Sequence, residues 1–86
     1  MEFEFDPLKS DSNVKKHGID FVQAQALWRD VDLMIIPART GDEARFLAIG
    51  TVGSSFWSAI FTIRRDRIRL ISVRRSRKEE IELYES

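Results

Sequence analysis

Gly53-Ser54-Ser55-Phe56-Trp57-Ser58-Ala59-Ile60-Phe61-Thr62-Ile63-Arg64-Arg65-Asp66-Arg67-Ile68-Arg69-Leu70-Ile71-Ser72-Val73-Arg74-Arg75 is the stretch whose reading decides the fold. Two apolar-rich segments, Phe56 to Ile63 and Arg67 to Arg74, are joined by the polar Arg64-Arg65-Asp66. In the first, Trp57, Ala59, Phe61 and Ile63 recur at every second position, the period of a strand with one buried face. In the second, Ile68 and Leu70 fall opposite Arg67 and Arg69, so one sheet face is apolar and the other cationic. The last residues of this strand are open to a bulge, which leaves their facing undetermined.

Working outward, Gly53-Ser54-Ser55 reads as a tight hairpin to an upstream strand, Arg45 to Val52. Before it, Leu33 to Ile36 is extended and stops at Pro37, followed by a polar turn from Arg39 to Asp42. At the start of the chain Glu2 to Phe5 alternates as a short strand. Asp6-Pro7 then supplies an N-cap and a proline at the first helical position, predicting a helix from Pro7 to His17 that Gly18 ends. Asp20 and Gln23 form a capping box for a second helix ending near Arg29, with Phe21, Ala24, Leu27 and Trp28 facing the core. A second such signature, Ser76 and Glu79, opens a short terminal helix with Ile81 and Tyr84 on its apolar stripe. The expected order is β-α-α-β-β-β-β-α: an α+β fold, an antiparallel meander with N-terminal helices and a short C-terminal helix gathered on one face. Residues 1–86 read as a single domain without repeat or linker.

Composition narrows the function classes. The 86 residues include no cysteine and one histidine, which excludes disulfides and cysteine-based zinc sites and argues against any conventional metal centre. No cofactor is expected, and any catalysis should be metal-free. Acidic residues stand where a signal peptide would be basic, and no apolar run approaches membrane-spanning length, so a cytoplasmic protein without membrane partners is expected. The net charge of zero hides an asymmetry: Arg64 to Lys78 holds eight basic residues against Asp66 alone, a local +7 that leaves −7 elsewhere. A stripe of that density is the footprint of a polyanion-binding surface.

Phe5-Asp6-Pro7-x-Lys9, followed by Asn13-x-x-Lys16-His17-Gly18-Ile19-x-Phe21-x-x-Ala24, resembles the N-terminal signature of BrnT-type toxins. Glu43-x-Arg45-Phe46-Leu47-x-Ile49-Gly50 and Arg67 to Arg75, with Glu80 and Tyr84 downstream, are similar to the central strand and the closing strand-helix unit of that family. The pieces occur in the family's order across nearly the whole chain. Phe5 stands where the family more often has tryptophan, and Val73 and Ser76 where it tends to have alanine, which bears on packing rather than chemistry.

The resemblance implies a RelE-like ribonuclease fold, RNA cleavage that inhibits translation, and neutralisation by a BrnA-type ribbon-helix-helix antitoxin in a 2:2 heterotetramer that reaches operator DNA through the antitoxin. A metal-free ribonuclease needs a base for the 2′-hydroxyl, cations for the phosphate and an acid for the leaving oxygen. Arg67, Arg69, Arg74 and Arg75 are the candidate clamp, because a guanidinium fork matches phosphate oxygens, and Arg64 would extend it. His17 is the first choice for proton transfer, since imidazole alone ordinarily titrates near neutrality; its alternative role is to cap the helix C-terminus with Lys16, which otherwise supports the phosphate.

Each candidate has a structural alternative. The arginines form a solvated face or an antitoxin surface if they do not hold RNA. Glu80 either reaches the site or pairs with Arg77 or Arg74, and Tyr84 either reaches the site or packs in the core. Asp6, Pro7 and Asn13 read as structural, Trp28 and Trp57 as core. The competing function is a degenerate toxin, a non-catalytic module that binds nucleic acid or antitoxin through the same arginines.

Overall fold

The computed structural model describes residues 1–38 and 41–86. In chain order the elements are β1 (Phe3–Glu4), α1 (Pro7–His17), a 3-10 helix (Gln23–Arg29), β2 (Met34–Ala38), β3 (Arg45–Val52), β4 (Ser55–Arg64), β5 (Arg67–Arg75) and α2 (Lys78–Glu85). The order and the α+β class are those read from the sequence. The five strands lie in the order β1-β5-β4-β3-β2, so β2 to β5 form the expected antiparallel meander. β1 adds to its far edge in parallel, pairing Phe3 with Ile68 and Glu4 with Arg69, and makes the sheet mixed.

The β4–β5 hairpin closes on Arg64 opposite Arg67. Its two turn residues, Arg65 and Asp66, both have positive φ, 51° and 65°. A two-residue turn of that hand matches the twist of the flanking strands, at the cost of holding two non-glycine residues left-handed. Further along, Phe61 pairs with Leu70 but Ile60 with Ser72, so Ile71 is an extra residue that bulges β5. Before the bulge Ile68 and Leu70 face the core, and after it Val73 does. Arg67, Arg69, Ser72 and Arg74 consequently share the other face with Arg64, Thr62, Ile60 and Ser58.

The main core lies on the Trp57-Ala59-Phe61 face, under Ile19, Phe21, Ala24 and Leu27, with Ala48, Ile68, Leu70 and Val73 from the strands. Trp28 packs edge-to-face on Phe61, at 5.3 Å between ring centroids, and on Phe3 at 5.2 Å. Burying roughly 25 cal/mol for each Å² of this apolar surface is the main favourable term. The second helical segment is a 3-10 helix rather than the expected α-helix. Its buried residues, Ala24 and Leu27, continue a three-residue spacing begun by the buried Phe21 just before it, which eclipses on a helix of three residues per turn. Gly50 lets this segment and the residues after it approach closely, since a Cβ there would meet Leu27 Cδ2 at 3.2 Å and Leu33 Cδ1 at 2.9 Å.

Three further expectations are corrected. β2 runs from Met34 through Pro37 to Ala38 instead of stopping at the proline; it is an edge strand, where a missing N–H costs no ladder bond. The cap of α2 is shifted by one residue, because Ser76 donates its N–H to Phe56 and still belongs to the sheet, and Glu80 accepts from the Arg77 N–H instead. The helices are also not all on one face: α2 lies over the side that carries Ser58 and the buried Ile49. The turn expected from Arg39 to Asp42 falls partly on residues 39 and 40, outside the described residues.

β1 covers only the first part of the outer edge of β5, and α1 covers the rest. Asn13 Nδ2 donates to the carbonyls of Val73 and Ile19, both at 2.8 Å, and its Oδ1 accepts from the Val73 N–H at 3.1 Å. One side chain thus supplies the ladder bonds of a missing strand. Asn13→Ala should leave the Val73 amide and carbonyl buried without partners and cost about 2–3 kcal/mol. A fall of about 10 °C or more in the melting temperature checks this, whereas a change within about 2 °C would show that water satisfies the edge.

Candidate nucleic-acid site at the edge of β5

Beside Asn13, the C-terminal half of α1 and the bulge of β5 enclose a cleft of about 180 Å³ lined by Lys9, Ser12, Asn13, Lys16, His17, Ile71 and Ser72. α1 ends here because Gly18 is left-handed, φ +83°, and returns its N–H to Val14 at 2.9 Å. Lys15, Lys16 and His17 occupy the last turn, where cations meet the negative end of the helix dipole. His17 and Lys16 are solvent-exposed, so the cap position and access to a ligand coexist. Lys9 and Ser72, not singled out in the sequence, join them through the bulge and the helical spacing of Lys9 and Lys16, two turns apart.

Ser72 connects this cleft to the arginines. By register it stands between Arg69 and Arg74 on the face opposite the core, so the cleft opens onto the cationic face of β5. Those arginines are already paired. Arg69 meets Glu4 at 3.0 Å, Arg67 meets Glu2 at 3.2 Å, and Arg64 meets Glu43 at 3.3 Å. Arg64 and Arg67 sit at the hairpin end, both half exposed. Arg75 lies on the opposite face, opposite Trp57 in the ladder, with its guanidinium 5.0 Å from the Trp57 ring centroid. The structure therefore brings together His17 and Lys16 beside the Arg69-Arg74 face, while Arg75 is separated from the other arginines by the sheet.

Arg74 and Glu80 form the most enclosed pair. Arg74 donates both terminal nitrogens to the Glu80 carboxylate at 2.8 Å, and Glu80 Oε1 also accepts from Ser58 Oγ and the Arg77 N–H, each at 2.8 Å. Of the two partners open to Glu80 in the sequence, Arg74 holds its side chain. The Arg74 hydrogen bonds outweigh desolvation and, with those of Arg77 and Ser58, hold the Glu80 carboxyl at about 2. A group so acidic donates no proton near neutrality. Tyr84 is remote from the clamp: its hydroxyl donates to Asp30 at 2.8 Å and its ring packs on Phe56. Burial opposes ionisation of Asp30, but bonds from Asp32, Tyr84 and Thr51 outweigh it and lower its pKa.

Among the described residues no three histidine, aspartate or glutamate side chains converge as a metal site, and no helix is long and apolar enough to cross a membrane. Comparison with known families gives the class first: residues 5–80 match a ribonuclease toxin of type II toxin–antitoxin systems. The chain belongs to that family, BrnT. No curated protein matches the chain.

The Glu80 pairing carries a pH dependence of definite sign. Its folded pKa lies below the ordinary glutamate value of 4.5, so its contribution is complete above that value and is lost as pH falls towards about 2. Glu80→Gln should cost about 2 kcal/mol at neutral pH and flatten the loss of stability with acid. Urea midpoints between pH 7 and 2.5 measure both effects; parallel acid limbs for the variant and the parent would assign the acid sensitivity to other carboxylates.

Proposed function

We infer that the cleft between α1 and β5 is the catalytic site of a metal-independent endoribonuclease. The observation that carries this reading is the meeting of Lys9, Lys16 and His17 with Ser72, at the margin of the Arg69-Arg74 face. In the proposed reaction His17 removes the proton of an RNA 2′-hydroxyl, whose oxygen attacks the adjacent phosphorus. The P–O5′ bond breaks, leaving a 2′,3′-cyclic phosphate and a 5′-hydroxyl that takes up a proton. Lys9 and Lys16 hold the non-bridging oxygens, and Arg69, released from Glu4 by the incoming phosphate, stabilises the added charge. Glu80 positions Arg74 and takes no part in proton transfer. Cleavage of cellular RNA in the cytoplasm would inhibit translation.

The paired state of the β5 arginines favours a second reading, in which they are scaffold and the α1 cations do the phosphate work alone. One experiment separates the two. Purified protein should cut naked RNA in EDTA and leave 5′-hydroxyl ends; activity only with added divalent metal, or 5′-phosphate ends, would overturn the mechanism. His17→Ala should lower the rate at least a hundredfold and Arg69→Ala about tenfold. Full activity in Arg69→Ala leaves the α1 cations as the site; full activity in His17→Ala removes the cleft from the chemistry. Arg74→Ala is a poorer probe, since it strands a buried carboxylate.

A type II toxin has a protein antitoxin, and we take this partner to be a BrnA-type ribbon-helix-helix protein in a 2:2 complex that binds operator DNA. An acidic antitoxin segment over the Arg64-Arg67-Arg69 face would exclude RNA directly. Binding at a hundred times its dissociation constant would add roughly 2.7 kcal/mol to the stability of the toxin. The melting temperature should rise with antitoxin and the affinity should fall with salt. Amide exchange of Arg67 to Arg75 unchanged by the complex would move inhibition to another surface.

A further inference from the structure

A second cleft lies on the other side of the α1 terminus. Gly18, Ile19, Gln23, Val52, Ser55 and Trp57 enclose about 290 Å³. Its wall begins at the residue after His17, and Asn13, which lines the first cleft, donates its amide to the carbonyl of Ile19, which lines the second. We propose that this cleft is a nucleobase subsite, taking the base of the nucleotide whose 2′-hydroxyl is delivered to His17.

Three observations support the assignment, which rests on the ribonuclease reading of the α1 cleft. The cleft pairs an aromatic side, Trp57, with the apolar Val52 and Ile19, the surroundings a base plane requires. The Trp57 indole already packs with a planar cation, the Arg75 guanidinium 5.0 Å from its ring centroid. Gln23 uses its Oε1 to accept from the Asp20 N–H at 3.0 Å, which turns its amide nitrogen into the free end. Among the described residues that nitrogen and the Ser55 hydroxyl have no side-chain partner, although both line the cleft. An amide donor meets an acceptor on a base edge, such as a carbonyl oxygen of uracil or a ring nitrogen of adenine.

Binding of 3′-UMP, 3′-AMP and ribose 5-phosphate tests the subsite without requiring cleavage. The parent protein should bind 3′-UMP and 3′-AMP each about tenfold more tightly than ribose 5-phosphate, with quenching of tryptophan fluorescence that is lost in Trp57→Phe. Gln23→Glu keeps the oxygen that caps the 3-10 segment and replaces the donor with an acceptor. It should abolish the preference for 3′-UMP over ribose 5-phosphate, a ratio in which the added charge cancels. Affinities for the two nucleotides no higher than for ribose 5-phosphate in the parent, or a preference for 3′-UMP that survives Gln23→Glu, would overturn the subsite. An RNA-cleaving parent with either result keeps its catalytic cleft and loses only this base pocket. A protein that binds as proposed but cuts no RNA keeps the pocket and loses the reaction.

Discussion

The outer edge of β5 is covered by two different devices, a two-residue strand and one amide side chain. Where β1 ends, Asn13 takes over, satisfying both backbone groups of Val73 and the carbonyl of Ile19. Without it, α1 would have no polar tie to the strand it flanks, and an open edge would expose unpaired donors and acceptors. Because the tie is at the middle of α1, the last turn is held beside the bulge. Lys16 and His17 therefore reach Ser72, and Gly18 turns the chain directly into the second cleft. Both clefts are consequences of how one asparagine closes a sheet.

The bulge at Ile71 does the complementary work on the strand side. Strict alternation from Ile68 would place Ser72 and Arg74 on the core face, burying a serine and an arginine among aromatic residues. One extra residue restores Val73 to the core and returns Ser72 and Arg74 to the face that Arg67 and Arg69 occupy. A bulge of this kind also bends its strand and increases the local twist. Packing alone thus requires the irregularity, and the continuity between the cleft and the arginine face follows from it.

The meander was legible because period-two alternation in β4 and β5 is a strong local signal, and the helix from Pro7 to His17 because caps mark both its ends. What escaped was non-local. β1 contributes two ladder residues, too few for any pattern to announce whether they pair in parallel. The side chosen by α2 depends on Glu80 meeting Ser58 and Tyr84 meeting Asp30, contacts between residues 22 and 54 apart in sequence. The 3-10 helix left its trace in the three-residue spacing of Phe21, Ala24 and Leu27, but Trp28 supplies the i+4 neighbour that an α-helix also needs. In the site, His17, Lys16 and the arginines were legible as residue types; Ser72, and the placing of Arg74 rather than Arg75 on the face of Arg67 and Arg69, required the bulge, and Lys9 the packing of α1 beside it.

Ion pairing redistributes the charge asymmetry of the sequence. The +7 stripe and the −7 remainder meet: Glu2, Glu4, Glu43 and Glu80 each neutralise one arginine. These pairs are not equivalent as phosphate sites. Exposed pairs such as Arg67–Glu2 and Arg64–Glu43 are worth at most about 1 kcal/mol, so a polyanion or an acidic partner segment can displace the glutamate at little cost. Arg69–Glu4, about one-third exposed at the arginine, is intermediate. Arg74–Glu80 is bidentate and enclosed, and removing one partner strands the other at several kcal/mol. The arginine with the best geometry for gripping a phosphate is therefore the one least available to it. Displaceable charge is found instead at the α1 terminus and the hairpin, which is the ground for proposing the lysines and the histidine beside the bulge, rather than the full arginine stripe, as the place where an RNA phosphate would be held.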